Sequence, residues 1–253
     1  MNLEKPRNCR TSYPAALRLL GVILASAVLG GCGMVSTRIE AEDSKVFIPA
    51  LRASFNFNED KHAASEPQTG HAIEFDITKT NGSDSQFLDT GQSPISLNNT
   101  TFNGPQQLRN DFNFDFASAS WRWRKFFNER SLGLEVFAGA GRSSLGLKVS
   151  SPAQQASGNY VTWGPQGGAG LIWRFSQGSS LQGRVSAFIS THNDGVDNFF
   201  RSEIFYAKSF NENLALRIGY AECEVRGQDR LGNSDFKITF SGPILALDMN
   251  FNN

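Results

Sequence analysis

The sequence predicts an all-β protein: a closed antiparallel up-and-down transmembrane β-barrel of eight to ten strands. Three observations predict it. Apolar and polar residues alternate in segment after segment, connections alternate between short and long, and tryptophans stand at the spacing of a membrane band.

The period of two begins after Val46. Phe47, Leu51, Ala53, Phe55 and Phe57 share one face, and Arg52, Ser54 and Asn56 the other. Ile73, Phe75 and Ile77 alternate with Glu74, Asp76 and Thr78, and Phe112, Phe114 and Phe116 with Asp111, Asn113 and Asp115. Leu132, Leu134, Val136 and Ala138 oppose Gly133, Glu135 and Gly139. Val161 to Phe175, Leu181 to Ile189, Phe200 to Tyr206 and Leu214 to Tyr220 continue the pattern, with Arg174, Arg184, Arg201, Glu203 and Arg217 on the polar side. In the last segment Phe236, Ile238 and Phe240 are even-numbered, while Leu245, Leu247, Met249 and Phe251 are odd. A one-residue slip would turn every side chain to the wrong face, so a β-bulge is expected at Gly242-Pro243, with similar phase changes near Ala117 and Gly141.

Phe127–Ser131, Ser176–Ser180 and Asn211–Asn213 read as short turns, and Ser151–Asn159, Thr191–Asn198 and Gly227–Asp235 as longer loops. Trp163 and Trp173 lie on one face, about 25 Å apart along the axis of a tilted strand. With Trp121 and Trp123 they are the expected membrane girdle, a placement a soluble β-sandwich does not require. Nine strands are clear, and closure with both ends on one side needs an even number. Either Val46 to Asn56 lies outside an eight-stranded barrel, or a tenth strand hides in Gln86 to Phe102. The turn signal of Asn81-Gly82 favours the latter.

With 253 residues the chain has room for one domain, and its net charge of zero gives no sign of nucleic-acid binding. Lys5, Arg7, Arg10 and Arg18 precede an apolar run, Leu19 to Leu29, that is too short to span a membrane. The run ends in Leu29-Gly30-Gly31-Cys32, which resembles the bacterial lipoprotein signal, the lipobox. That resemblance implies cleavage before Cys32, acylation of its thiol and, with Gly33 next, sorting to the outer membrane. The expected organisation is a signal peptide over 1–31, a flexible tether over 32–45 and a barrel over 46–253. On that resemblance Cys9 would lie in the removed segment and Cys32 would be acylated, which leaves Cys223 alone, so it reads as a small residue packed on a strand.

From Pro49 to Phe251 the Phe-rich alternation, the Leu214–Tyr220 strand after its Asn-Glu-Asn turn, and the terminal Leu245–Phe251 segment resemble the small Gram-negative outer-membrane barrels. These include the membrane domains of OmpA-like and porin-like proteins. Here Asn252-Asn253 follow the terminal aromatic, a departure from that pattern. The resemblance implies residence in the bacterial outer membrane, with outer-membrane lipid and the barrel-assembly machinery as partners. Some barrels of that superfamily are enzymes, but the first expectation here is a non-enzymatic structural, envelope-maintenance or weak pore role.

Residue chemistry leaves two other readings open. His192 sits in Thr191-His192-Asn193-Asp194 and faintly resembles the sites of barrel-borne lipid A deacylases and omptin proteases. The deacylase pattern needs a serine where Asp194 stands. The other alternative is a surface interaction module using the outer loops. His62 and His71 read as solvated loop residues. Glu74, Asp76, Asp115, Glu135, Arg174, Arg184, Arg201, Glu203 and Arg217 are the expected lumen charges, forming either a plug of ion pairs or a pore lining. No phosphate-binding loop, zinc-ligand spacing or nucleophile elbow is present, so neither cofactor nor metal is expected. Cys32→Ala is expected to abolish incorporation of radioactive palmitate; equal labelling of the variant would rule out acylation at this thiol.

Overall fold

The alternating segments become strands, most of them longer than expected. The computed structural model describes residues 38–57, 69–127, 131–176, 178–191, 195–211, 213–229 and 234–252. The signal segment, Cys32, His62 and His192 lie outside the described residues. The strands are β1 (Arg38–Lys45), β2 (Ile48–Phe57), β3 (Thr69–Leu88), β4 (Ile95–Leu97), β5 (Thr100–Phe102), β6 (Gln106–Phe127), β7 (Leu132–Ser150), β8 (Gln155–Ser176), β9 (Ser179–Ile189), β10 (Gly195–Ser209), β11 (Leu214–Asp229) and β12 (Ser234–Asn252).

Ten of these form one sheet in the order β1-β12-β11-β10-β9-β8-β7-β6-β3-β2, and β2 also pairs with β12. The order of neighbours therefore returns to its start through nine strands, each hydrogen-bonded on both sides. The sheet is mixed. Neighbours are antiparallel except that β1 and β2 both run parallel to β12, one after the other, from Arg38 opposite Asp235 to Asn56 opposite Asn252. The even, wholly antiparallel count expected from the sequence is not what forms. An up-and-down run of nine strands brings the first and last side by side in the same direction.

Other expectations are corrected by the same pairings. Arg38–Lys45, expected in the tether, is β1. Val46 to Asn56 does not stand aside, because β2 joins the sheet. Gln86 to Phe102 adds no strand to it and instead contains the separate β4–β5 hairpin, whose turn residues Asn98 and Asn99 have φ of 45° and 66°. Both central residues at positive φ suit a two-residue hairpin turn, and asparagine tolerates that region well. Asn81-Gly82 is no turn, since both residues pair within β3, opposite Asn113 and Phe112. A Cβ at Gly82 would lie 2.6 Å from the Phe112 ring, so the glycine serves packing there. The loops expected at Ser151–Asn159, Thr191–Asn198 and Gly227–Asp235 are shortened because β8, β10, β11 and β12 extend into them.

No bulge stands at Gly242-Pro243, for β11 and β12 pair without a register shift from Asp229↔Ser234 to Leu214↔Met249. The strand keeps its phase and the apolar side changes face. Phe236, Ile238 and Phe240 are buried, whereas Leu245, Leu247 and Phe251 are exposed. The same inversion occurs at Ala117 in β6, between buried Phe112, Phe114 and Phe116 and exposed Trp121. It recurs at Gly141 in β7, between buried Leu145, Leu147 and Val149 and exposed Leu132. Both pairings of β7 run through that level in unbroken register.

The interior therefore has two halves. Toward the end that carries the β3–β6, β7–β8, β9–β10 and β11–β12 connections, Phe112, Phe114, Phe116, Phe188, Phe199 and Phe240 form the centre of an apolar cluster. Ile95, Leu97 and Phe102 of the hairpin join it. The hairpin is held at that end by hydrogen bonds from Ser96 N to Ser234 Oγ (2.9 Å) and from Asn98 N to Asp229 Oδ2 (2.8 Å). Toward the opposite end, where the short turns lie, the interior is charged.

Candidate functional site

The charged half of the interior is the candidate site, and the period of two builds it. Arg52 alternates with exposed Leu51, Glu74 and Asp76 with Ile73, Phe75 and Ile77, and Arg122 with Trp121, so each charge points inward because its neighbours point outward. Glu74 lies at the centre. Arg122 Nη1 donates to its Oε2 (2.8 Å), Arg184 Nη2 donates to its Oε1, and Arg52 Nε stands 3.6 Å from the same oxygen. Arg52 also donates to Asp76 (Nε, 2.8 Å) and reaches Glu203 (3.5 Å). Arg201 bridges Asp76 and Glu203, and Glu135 takes Arg124 at 2.9 Å and Arg184 at 3.7 Å. Arg217 pairs with Asp248. Side chains from eight strands are tied in this way across the interior.

Most of the expected lumen charges are where the alternation placed them. Glu74, Asp76, Glu135, Arg184, Arg201, Glu203 and Arg217 are buried, and Arg174 is half-buried with its guanidinium 3.5 Å above the Phe126 ring. Asp115 is the exception: it faces outward beside Lys79 at 3.6 Å. It lies on the loop side of the inversion, where the polar face is the outer one. Sequence reasoning missed Arg122, Arg124 and Asp248 and left Arg52 out of the interior set. The signal was present in Trp121-Arg122-Trp123-Arg124 and Leu247-Asp248-Met249. Of the girdle residues, Trp121, Trp163 and Trp173 are exposed and Trp123 is half-buried on the same outer face. His71, expected in a loop, belongs to β3 and stacks on Trp121 with ring centroids 5.4 Å apart. Cys223 is buried on β11 as expected.

Outside the sheet, exposed apolar side chains occur on all nine strands of the ring at the level of the charged interior. Ile73 stands opposite Phe55 and Trp121, and Phe55 opposite Phe251, whose ring it stacks on at 4.7 Å. Above the inversion the outer positions are mostly polar, among them Lys79, Asn81, Asp111, Arg142, Glu222 and Lys237, although Phe87 and Val161 are exposed there as well.

At the short-turn end a cavity of about 90 Å³ opens between the charged network and the turns. Arg122, Arg124, Arg174, Arg217, Asp248 and Gln182 are among its lining residues. Among the described residues no group of His, Cys, Asp and Glu could hold a metal ion. Comparison with protein-family models, curated proteins and solved structures finds no match.

The charges of the network are buried, so removing one partner leaves the others uncompensated. Glu74→Gln should cost about 3–5 kcal/mol in unfolding titrations in detergent, whereas Asp115→Asn, breaking an exposed pair, should cost at most about 1 kcal/mol. Equal effects would show that removing Glu74 leaves no buried arginine uncompensated.

Proposed function

We propose that the chain is an outer-membrane β-barrel whose charged-interior half spans the bilayer and whose apolar-interior half projects beyond it. The observation that carries this is the inversion. A half with an apolar interior and a polar exterior suits water on its outside. A half with charges inside and Phe, Leu, Ile, Val and Trp outside suits lipid. The outer face of β12 from Pro243 to Phe251, at about 3.3 Å per residue and a tilt of about 40°, covers about 20 Å, close to the apolar band of such barrels. A bacterial outer membrane is thinner than average, which fits the short span.

The role we assign is structural or envelope-maintaining, as a lipoprotein anchored through Cys32. A wide pore is disfavoured because both halves of the interior are filled with side chains. The hydrolase reading rests on His192, outside the described residues, and the surface-interaction reading has no specific observation behind it. In barrels of this kind short turns face the periplasm. Since β1 runs parallel to β12, Arg38 at its start then lies at the outer end, opposite to the end of β12.

Two measurements test this. Val185 is the middle of β9's outer run and Leu181 lies near the short-turn rim. Val185→Arg should destabilise the protein in lipid vesicles by about 2–4 kcal/mol and Leu181→Arg by about 0–1 kcal/mol. A stable monomer free of detergent would overturn the membrane reading altogether. In intact cells, a membrane-impermeant maleimide should label Arg38→Cys but reach Asn211→Cys only after the outer membrane is opened. The reverse pattern would place the short turns outside.

A further inference from the structure

The acidic partners of the interior are unevenly placed. Glu74, Asp76 and Glu203 lie deep in the network, engaged with Arg52, Arg184 and Arg201. The cavity at the short-turn end, in contrast, has Arg122, Arg124, Arg174 and Arg217 and one carboxylate, Asp248, among its described lining residues. The donors around it are only partly used. Among the described residues, Arg217 gives Nη2 to Asp248 and has no hydrogen-bond partner at Nε or Nη1, and neither Arg122 nor Arg124 has one at Nε. The Arg122 and Arg217 side chains are 5% exposed. Burying guanidinium N–H groups with unmet hydrogen bonds is costly unless an acceptor arrives from outside. Arg122 is fixed by Ser54, Glu74 and Asn56, and Arg124 by Glu135, so these groups are held in place before any ligand binds.

We propose that this cavity is a binding site for a tetrahedral oxyanion, a phosphate or the head of a phosphomonoester. Guanidinium forks match such oxygens in geometry and charge, and a group of several arginines is how proteins hold them. The space suffices, since one water needs only about 10–15 Å³ of such volume. Asp248 competes with the anion for Arg217, which sets the affinity below that of an acid-free site. The inference rests on the interior charges and the cavity and goes beyond the membrane reading, which could fail without it.

The test is calorimetric titration of the full chain in neutral detergent with inorganic phosphate and, separately, with glycerol phosphate, at constant ionic strength. Saturable binding of phosphate is expected. Arg217→Gln and the more accessible Arg124→Gln should each weaken it by about tenfold or more, the loss expected for a charge-assisted contact. Asp248→Asn, which removes the competing acid, should tighten it. Arg226→Gln, on the outer surface, should leave it unchanged. If glycerol phosphate binds as well, the site takes a phosphomonoester head; if only phosphate binds, it takes the free ion. Binding no stronger than that of chloride would overturn the proposal. So would binding indifferent to both Arg124→Gln and Asp248→Asn in folded protein.

Discussion

The parallel pairing of β12 with β1 and β2 is the constraint on which the rest of the structure depends. Without it β2 and β12 would each present a free edge and the sheet would have no enclosed face. With it, every inward position of nine strands shares one narrow space. Side chains that point there have to fill it, and any charge among them has to find a partner. Glu74 and Arg52 meet on adjacent strands, but Arg184 reaches the same glutamate from β9 across the interior, a contact possible only because the sheet has returned on itself. The closing strand is also where the two halves join. Val46, between β1 and β2, is buried in the apolar cluster while Phe47 points outward, and Val46 N donates to Ser241 O at 3.0 Å. Gly242 stands beside this junction because a Cβ would come within 1.7 Å of the Val46 carbonyl oxygen.

The same strands thus satisfy opposite burial rules in two stretches. Phe114 packs between Phe199 and Phe240 in an interior that resembles a soluble core, while Trp121, seven residues further along β6, lies outside the sheet. In β6, β7 and β12 no register shift marks the change, which there lies in composition; the break between β1 and β2 at Val46-Phe47 interrupts a strand at that level. The charged half is not a source of stability in itself, because buried ion pairs recover little more than their desolvation cost. Their value is in fixing which residues face inward. A register slip on β3 would carry Glu74 and Asp76 to the outer face and put Ile73 and Phe75 among the arginines.

Much of this was legible in the sequence, for one reason. The period of two survives in every long strand, so the faces of Glu74, Asp76, Arg184, Arg201, Glu203 and Arg217 follow from counting. The inversion was visible too, at Gly242-Pro243, Ala117 and Gly141, but it has two physical causes that look alike. A bulge moves the apolar residues to the other parity and keeps one face apolar. A change of environment keeps the parity and moves the apolar face. Choosing the first misplaced Asp115, which lies beyond the inversion. Closure was less legible, since no residue pattern in Ile48–Phe57 distinguishes a parallel from an antiparallel neighbour. Asn81-Gly82 carried a real local turn preference that pairing along β3 overrode, whereas the turn that does form, Asn98-Asn99, lies between two strands of three residues each.

The parallel seam also orders events in time. Consecutive antiparallel strands can zip as they are made, each closing a short turn. Ile48 and Ile244, however, are neighbours across a stretch of 196 residues (244 minus 48). Joining ends that far apart costs about 5 kcal/mol of chain entropy on loop-length scaling, unless the intervening strands are already laid down to carry them together. The first strand must therefore wait, half its pairing unmet, until the last one exists. Topologies dominated by such distant contacts fold slowly. During that interval β2 offers an open edge with Leu51 and Phe55 on it, the state in which a chain like this is most exposed to pairing with the wrong neighbour.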